Sequence, residues 1–203
     1  MKIICIGRNY KQHVIELNNK YPKDIIFFMK PETAIPPKNQ PFFIPDFSND
    51  IHHEVEIVIK INKTGKHIQR KFANTYYNEI TLGIDFTARD VQNKLKENGE
   101  PWEKAKSFDG SAPIGKFIDK KNISDIQNIN YQLYVNKKKK QEGNTKNMIF
   151  KIDQIISYVS QFITLKKGDL IFTGTPSGVG KVYKNDLLEG YIEQEKIIQF
   201  KVK

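Results

Sequence analysis

The chain has 203 residues, of which 38% are hydrophobic and 28% charged, a composition typical of a folded protein rather than a disordered one. Its net charge of +10 raises the question of nucleic-acid binding, but only Arg8, Arg70 and Arg89 among its 33 basic residues are arginines. Nucleic-acid sites favour arginine for bidentate and stacking contacts. We therefore expect no nucleic-acid partner.

The beginning of the chain and its apolar runs predict no membrane contact. The apolar stretch 3–6 is too short for the core of a signal peptide, and no run approaches the roughly 18 apolar residues that span a bilayer. One cysteine, Cys5, cannot form an internal disulfide. We expect one domain over residues 1–203, located in the cytoplasm.

In the first half of the chain, the apolar pattern predicts strands at 3–6, 24–29, 52–61 and 81–86. A short helix carrying His13 and Glu16 follows the first strand. A proline-rich loop at 36–45 leads to the third. After the fourth strand, Thr87 to Asp90 have the form of a capping box and predict a helix that ends near Gly99.

In the second half of the chain, residues 130–135 and 145–150 read as paired strands, with the lysine run 137–140 at the tip of their hairpin. Asp153 can cap a second helix, in which apolar residues recur at helical spacing. A strand at 170–172 follows. Strands dominate and helices are few, so the pattern predicts a β-rich α+β fold.

Two carboxylates interrupt the apolar run IHHEVEIVI. On a strand, Glu54 and Glu56 point to the same face, with Cα atoms about 7 Å apart, so a positive charge should lie between them. A solvated edge strand is the commoner explanation of such a pair. Asp85, at the end of the fourth strand, adds a third oxygen donor of the kind that Mg²⁺ prefers. Zinc is disfavoured, because the adjacent His52 and His53 face opposite sides of a strand.

Other side chains could bind an anion or move a proton. Arg89 and Gln92 share one face of the predicted helix and could contact an anionic ligand. Lys106 could do the same, although a lysine in this chain is more often a solvated surface residue. His13 and Glu16, three apart on a helix, form either a base oriented by a carboxylate or an ordinary surface pair.

Two further positions could contact an anionic ligand. In a chain that uses lysine nearly everywhere, Arg8 and Arg89 are candidates for sites that require a planar guanidinium. The segment GTPSGVGK lacks the spacing of a phosphate loop. Its Thr175 hydroxyl and its glycine amides could still bind a carboxylate, unless the segment is only a structural turn.

The order of the motifs along the chain is more specific than any one of them. The motifs are G-R-N-Y-x-x-H-x-x-E, F-x-K-P, H-H-E-x-E, D-x-T-A-R-D-x-Q, P-W-x-x-A-K-S-F-D and G-D-x-I-x-T-G-T-P-x-G-V-G. From Ile4 to the carboxy terminus, the chain resembles the fumarylacetoacetate hydrolase family. It is most similar to the small single-domain acylpyruvate hydrolases that also decarboxylate oxaloacetate.

The resemblance implies a role for each candidate residue. Glu54, Glu56 and Asp85 match ligands of Mg²⁺, with Mn²⁺ as an alternative. Positions around a bound 2-oxo acid are matched by Lys106, Arg89, Gln92 and Thr175. The catalytic dyad on a mobile lid is matched by His13 and Glu16. The implied fold is a mixed β-roll with peripheral helices, and the implied assembly is a homodimer.

The implied activity is Mg²⁺-dependent hydrolysis of the C–C bond in small acylpyruvates through an enolate, with oxaloacetate decarboxylation as a second activity. His13 is the expected base, with Gln92 positioning the attacking water or the oxyanion. One alternative is a 2-hydroxyhepta-2,4-diene-1,7-dioate isomerase or a 5-oxopent-3-ene-1,2,5-tricarboxylate decarboxylase. Another is a polyanion-binding protein without catalysis. The lysine runs at 63–71 and 137–140 are expected to lie away from the site.

Overall fold

The computed structural model describes residues 1–38 and 40–203. Asn39, inside the predicted loop 36–45, lies outside the described residues. The first strands are β1 (Ile3–Gly7), β2 (Ile26–Lys30), β3 (Ile51–His53), β4 (Val55–Ile61), β5 (Tyr77–Ile84), β6 (Thr87–Ala88) and β7 (Ile118–Asp119). The later strands are β8 (Asn130–Val135), β9 (Lys138–Asn144), β10 (Leu170–Phe172), β11 (Gly180–Lys181), β12 (Leu187–Ile192) and β13 (Glu195–Lys201).

The helices are short and lie at the periphery of the sheets. They are α1 (Lys11–Glu16), α2 (Arg70–Ala73), α3 (Arg89–Asn98), α4 (Glu103–Lys106) and α5 (Ile152–Phe162). In α5, the apolar residues at helical spacing, Ile152, Ile155, Ile156 and Val159, are buried against the sheets. Among the described residues, no helix is long and apolar enough to cross a membrane.

The largest sheet holds the core and has the strand order β2-β1-β10-β4-β5-β7. β1 and β10 are parallel, whereas β4 is antiparallel to both of its neighbours. β1 and β10 are continuous apolar runs because both of their faces are buried. Two smaller sheets, β11-β3-β6 and β13-β12-β8-β9, pack around it. The strand-rich α+β fold predicted from the sequence is confirmed.

The predicted strand 52–61 is two strands that belong to different sheets. The chain leaves β3 at His53 and enters β4 at Val55, so Glu54 lies in the break between them. β3 pairs with β6 and β11, whereas β4 pairs with β5 and β10. Glu54 therefore belongs to neither strand, and the alternation of side chains along a strand does not fix its direction. Its position at the junction places it next to Glu56.

The partner of β8 and the caps of two helices also differ from the prediction. The partner of β8 is β9, not 145–150, because the two-residue turn Asn136-Lys137, with φ of 51° and 65°, starts the return strand at Lys138. Residues 145–147 form a 3₁₀ turn instead. The predicted capping box is absent from α3, whose N-cap is Ala88. Asp153 lies inside the first turn of α5 rather than at its cap.

Candidate active site

A cleft of about 410 Å³, measured out to its open mouth, lies where β1, β4 and β5 end beside α1 and α3. One cleft collects the candidate residues of the sequence analysis, whose roles stay predictions: Arg8, His13, Glu54, Glu56, Asp85, Arg89, Gln92, Lys106 and Thr175. Glu16 lies behind His13 and contacts it. These residues come from distant parts of the chain, so the fold assembles them.

Three carboxylates form the floor of the cleft. Oxygen atoms of Glu54, Glu56 and Asp85 lie within 4.8 Å of one another, and the residues are only 4%, 2% and 1% exposed. The β4–β5 ladder sets this proximity, because Val55 pairs with Ile84 and the Asp85 N–H donates to the Glu54 carbonyl at 2.8 Å. The solvated edge strand considered for this acidic pair is therefore wrong.

Amines and a guanidinium surround the carboxylates. Lys106 Nζ donates to Glu54 Oε2 at 2.8 Å and to Asp85 Oδ2 at 2.7 Å, and the Arg89 guanidinium donates to Glu54 Oε1. Lys30 Nζ lies 2.7 Å from Asp85 Oδ1. Lys106 is 3% exposed, so its alternative placement on the solvated surface is wrong. These side chains supply positive charge next to the acidic group.

The donor set fits a hard divalent cation. The three protons of Lys30 Nζ are directed to Phe86 O, Ser111 O and Ser111 Oγ, at 3.2, 2.9 and 3.0 Å. Asp85 Oδ1 is buried without an aligned hydrogen bond from any of the described residues, although Lys30 Nζ lies 2.7 Å away as an ion-pair partner. Three buried carboxylates whose oxygens lie within 4.8 Å of one another are the oxygen donor set that Mg²⁺ or Mn²⁺ prefers.

The two glutamates of the floor have opposite pKa shifts. Burial, followed by the neighbouring charges of Asp85 and Glu54, raises the pKa of Glu56 well above its ordinary value, although the Gly174 N–H opposes the shift. Burial also acts to raise the pKa of Glu54, but the charges of Lys106 and Arg89 outweigh it and hold that pKa well below its ordinary value. Without a bound cation, the neighbouring positive charges favour the ionised form of Glu54, whereas the neighbouring carboxylates favour the protonated form of Glu56.

His13 and Glu16 form the predicted pair on α1. His13 Nδ1 lies 3.1 Å from Glu16 Oε2, and Glu16 Oε1 accepts a hydrogen bond from the Gly178 N–H at 2.8 Å. Burial acts to raise the pKa of Glu16, but the hydrogen bonds from His13 and Gly178 outweigh it and lower that pKa. An ionised Glu16 holds the Nδ1 side of the ring, which leaves Nε2 to exchange a proton.

The side of the cleft formed by α3 is basic. Arg89 donates to Gln92 Oε1 at 2.6 Å as well as to Glu54. One turn further along the same face is Lys96, which burial, Arg89 and Arg8 together bring to a pKa of about 8. Arg8 follows β1 with φ of 58°, a left-handed conformation uncommon for a residue with a side chain.

Thr175 contacts protein groups from two other elements. Its hydroxyl donates to the Val55 carbonyl at 2.8 Å and accepts from Gln141 Nε2 at 2.8 Å. Gln141 follows the lysine run in β9, and a Cβ on Gly178 would lie 2.2 Å from the Lys140 carbonyl oxygen. The side chains of the run 137–140 are exposed and none lines the cleft, as expected, but the Lys140 backbone packs against the Thr175–Gly178 turn.

Residues 2–202 match the sequence profile of a family described as "Fumarylacetoacetate (FAA) hydrolase C-terminal". The chain belongs to the fumarylacetoacetate hydrolase family. The mouse protein named "Oxaloacetate tautomerase FAHD1, mitochondrial" is 44% identical over 201 residues, which cover 99% of this chain and 91% of that protein. The protein named "Oxaloacetate tautomerase YcgM" of Escherichia coli K12 is 41% identical, over 92% of this chain and 86% of that protein.

Solved structures of the family have the same fold. A fumarylpyruvate hydrolase from Pseudomonas aeruginosa, in complex with Mn²⁺ and pyruvate, matches with a TM-score of 0.93 and 31% identity, over 100% of this chain and 89% of that one. A 2-hydroxyhepta-2,4-diene-1,7-dioate isomerase from Mycobacterium marinum matches with a TM-score of 0.85 and 32% identity, over 99% and 73%. Relatives with this fold thus carry the names of different activities.

The sequence analysis of this family member missed Lys30, Lys96 and Gln141. Lys96 could have been found, because it continues the α3 face of Arg89 and Gln92 at the next helical interval. Lys30 ends a strand in the quoted F-x-K-P motif, but only its burial distinguishes it from the many other lysines. Nothing local distinguishes Gln141, whose partners lie 34 and 86 residues away in sequence.

Proposed function

We propose that this member of the fumarylacetoacetate hydrolase family is a metal-dependent enzyme of small 2-oxo acids, with oxaloacetate keto–enol tautomerisation as its main activity. One observation carries the proposal: the buried carboxylates Glu54, Glu56 and Asp85 line the same cleft as His13, whose Nδ1 is held by Glu16. The names of the similar mouse and Escherichia coli proteins support the choice of oxaloacetate.

A cation held by the three carboxylates would supply positive charge beside the oxygen on which enolate charge develops. Lys106 and Arg89 add to this field and attract the carboxylates of the substrate. His13 Nε2 takes a proton from C3 of the keto acid and delivers it to the enolate oxygen, which gives the enol. Glu16 orients the imidazole and stabilises its charged form.

Acylpyruvate hydrolysis is the second candidate, because the same His13–Glu16 pair can activate a water for attack on the distal carbonyl. The similar fumarylpyruvate hydrolase structure supports it. Gln92, which accepts a hydrogen bond from Arg89, is placed to position that water. Decarboxylation of oxaloacetate forms the enolate of pyruvate, as acylpyruvate hydrolysis does, and needs no base. A relative named "Oxaloacetate decarboxylase, mitochondrial", from Dictyostelium discoideum, is 43% identical over 93% of this chain and 87% of that protein.

The remaining expectations stay predictions. They are Mg²⁺ or Mn²⁺ as the metal, a homodimer, a 2-oxo acid as the small-molecule partner, Arg8 as a substrate contact, and a cytoplasmic location. Several eukaryotic relatives are named as mitochondrial proteins, whereas YcgM is not. A non-catalytic polyanion-binding protein has less support, since buried acidic groups form the floor of the cleft. Binding of duplex DNA that falls steeply with rising salt would favour it.

The decisive experiment offers the purified protein oxaloacetate and acetylpyruvate separately, with Mg²⁺, Mn²⁺ or EDTA. Loss of the enol absorbance of oxaloacetate would report tautomerisation, carbon dioxide release would report decarboxylation, and acetate would report hydrolysis. We expect Glu56→Gln to lose metal-dependent turnover at least a hundredfold, because the cation would lose a ligand. Glu79→Gln, at a partly exposed ion pair with Lys60 on β5, is the matched control. Full turnover by Glu56→Gln would overturn the proposal.

His13→Ala separates the candidate reactions. Tautomerisation and hydrolysis both need the base, so each should fall by roughly a hundredfold or more. Decarboxylation should survive, because loss of carbon dioxide requires no proton to be removed from carbon. A variant that kept tautomerisation but lost acetate release would assign His13 to water activation alone.

A further inference from the structure

Gln141 connects three segments of the site from a separate sheet. It lies in β9, is 1% exposed, and makes four hydrogen bonds. Its Oε1 lies 2.9 Å from His53 Nδ1 and 3.0 Å from the Val55 backbone nitrogen. Its Nε2 lies 2.8 Å from Thr175 Oγ1 and 3.0 Å from the Pro176 carbonyl oxygen. Each polar atom of the amide is thus engaged.

The direction of these hydrogen bonds is fixed by backbone groups. The Val55 N–H can only donate and the Pro176 carbonyl can only accept, so the amide of Gln141 must place its oxygen toward Val55 and its nitrogen toward Pro176. The amide nitrogen therefore donates its second proton to Thr175 Oγ1. In the reversed orientation, the amide nitrogen would face the Val55 N–H, donor against donor, and the amide oxygen would face the Pro176 carbonyl, acceptor against acceptor.

The Thr175 hydroxyl has one proton and two lone pairs. Gln141 occupies one lone pair, and the proton is directed to the Val55 carbonyl at 2.8 Å. The Val55 carbonyl takes its hydrogen bond from this hydroxyl. Ile84 lies opposite Val55 in the ladder, but its N–H donates to the Pro113 carbonyl instead. Withdrawing the proton would leave a buried carbonyl without a donor. The group that Thr175 presents to the cleft is its second lone pair.

We propose that Gln141 is a positioning residue that fixes Thr175 Oγ1 as a hydrogen-bond acceptor, so that the cleft selects the enol form of its 2-oxo acid. An enol brings a hydroxyl proton to that oxygen, whereas a carbonyl or a carboxylate brings only lone pairs. This inference rests on the proposed function for the class of substrate. It reverses the expected role of the Thr175 hydroxyl, which is not available to donate to a carboxylate.

The test compares two ligands in the metal-loaded protein. 2,4-Dioxopentanoate enolises, while its 3,3-dimethyl derivative keeps both carbonyls but has no proton on C3 and cannot enolise. Trp102, the single tryptophan, lines the cleft, so its stopped-flow fluorescence, recorded before any turnover, reports both dissociation constants. The ratio of the two constants measures the preference for the enol. If the protein bound both ligands but turned over neither, the result would count against the proposed function. The ratio of the two dissociation constants would still measure the preference for the enol.

We expect Thr175→Val to lower the enol preference about tenfold, the effect of one lost hydrogen bond, and Thr175→Ser to retain it. Gln141→Met should lower it equally, and the double variant no further, because both changes remove the same acceptor geometry. Gln132→Met, on the neighbouring strand β8 with an exposed bond to Glu142, is the matched control. Because the dimethyl ligand is bulkier, Thr175→Ser and Gln132→Met show how far a change in pocket shape alone moves the ratio.

An unchanged ratio in Thr175→Val would overturn the proposal, since the hydroxyl would then serve both ligands equally. Additive losses in the double variant would overturn the role of Gln141. Melting temperatures identify a variant that fails to fold. If Gln141→Met does so, the Thr175→Val and Thr175→Ser pair still decides whether the hydroxyl accepts.

Discussion

Charged side chains that are almost fully buried surround the floor of the cleft. Glu54, Asp85, Lys30, Lys106 and Arg89 are each no more than 6% exposed. Taking such a charged group out of water costs roughly several kcal/mol. Only close ion pairing together with hydrogen bonding offsets a cost of this size. The contacts of Lys106 with two carboxylates meet this condition. A cluster of buried charges as costly as this one indicates a functional site rather than a structural core.

Lys96 allows a pH test at the scale of one residue. Burial and the charges of Arg89 and Arg8 lower its pKa from 10.5 to about 8, so Lys96 loses its proton as pH rises through 8. A bound dianion favours the protonated amine. We expect oxalate, with Mg²⁺ present, to bind progressively more weakly between pH 7 and pH 9, as measured by Trp102 fluorescence.

Variants of Lys96 identify the titrating group. Lys96→Arg keeps its charge across this range, so oxalate affinity should stay high and constant, and Lys96→Met should be weak and constant. A wild-type slope that persisted in Lys96→Met would assign the titration to another group. The sign for stability is opposite: between about 8 and 10.5 the unfolded chain binds more protons, so the free energy of unfolding of the ligand-free protein rises with pH.

At the scale of elements, a backbone hydrogen bond connects α1 to the Thr175–Gly178 turn. The Gly178 N–H donates to Glu16 Oε1, and the φ of Gly178 is +97°. A Cβ at this position would lie 2.2 Å from the Lys140 carbonyl oxygen in β9. The turn can therefore reach Glu16 only because residue 178 has no side chain.

Replacing Gly178 with Ala should loosen α1. Displacement of the turn removes a donor from Glu16, so we expect kcat to fall about tenfold and hydrogen exchange in residues 11–16 to accelerate. Gly168→Ala is the matched control, since Gly168 has a φ of +92° and no atom within 4 Å of its Cβ position. Both variants should lose about 1–3 kcal/mol through backbone strain. Equal kcat values in the two variants would contradict the role of the turn.

At the scale of the whole molecule, the cleft lies where the three sheets meet. Glu56 comes from the six-stranded sheet, Glu54 from the link to the three-stranded sheet, and Gln141 from the four-stranded sheet. A cation that bound the folded protein alone would therefore stabilise all three sheets together. Its effect should appear in global unfolding rather than in one segment.

Mn²⁺ should raise the melting temperature. At a concentration about 100 times the dissociation constant, binding to the folded state adds about 2.7 kcal/mol, or on the order of 5–10 °C for a domain of this size. Differential scanning calorimetry with Mn²⁺ or EDTA measures the shift. Glu56→Gln should lose most of it and Glu79→Gln should keep it. The same shift in both variants would place the cation elsewhere.

The sequence by itself determined much of this protein. Local spacing predicted the pairing of His13 with Glu16, the shared face of Arg89 and Gln92, and a third carboxylate at Asp85. The order of the motifs predicted the family. These features could be predicted because neighbours on a helix or strand are fixed by backbone geometry, which depends on a few adjacent residues.

Only the tertiary structure decided which lysines are buried, where the acidic strand breaks, and which way the Thr175 hydroxyl points. Lys30 meets Phe86 and Ser111, 56 and 81 residues away in sequence, and Gln141 meets Val55 at a separation of 86. Such pairs form through strand register and packing, which no local pattern encodes. An unpaired polar group in the interior is costly, so each buried group must be paired with a partner. These partners fix the direction of its hydrogen bonds and whether it carries a charge.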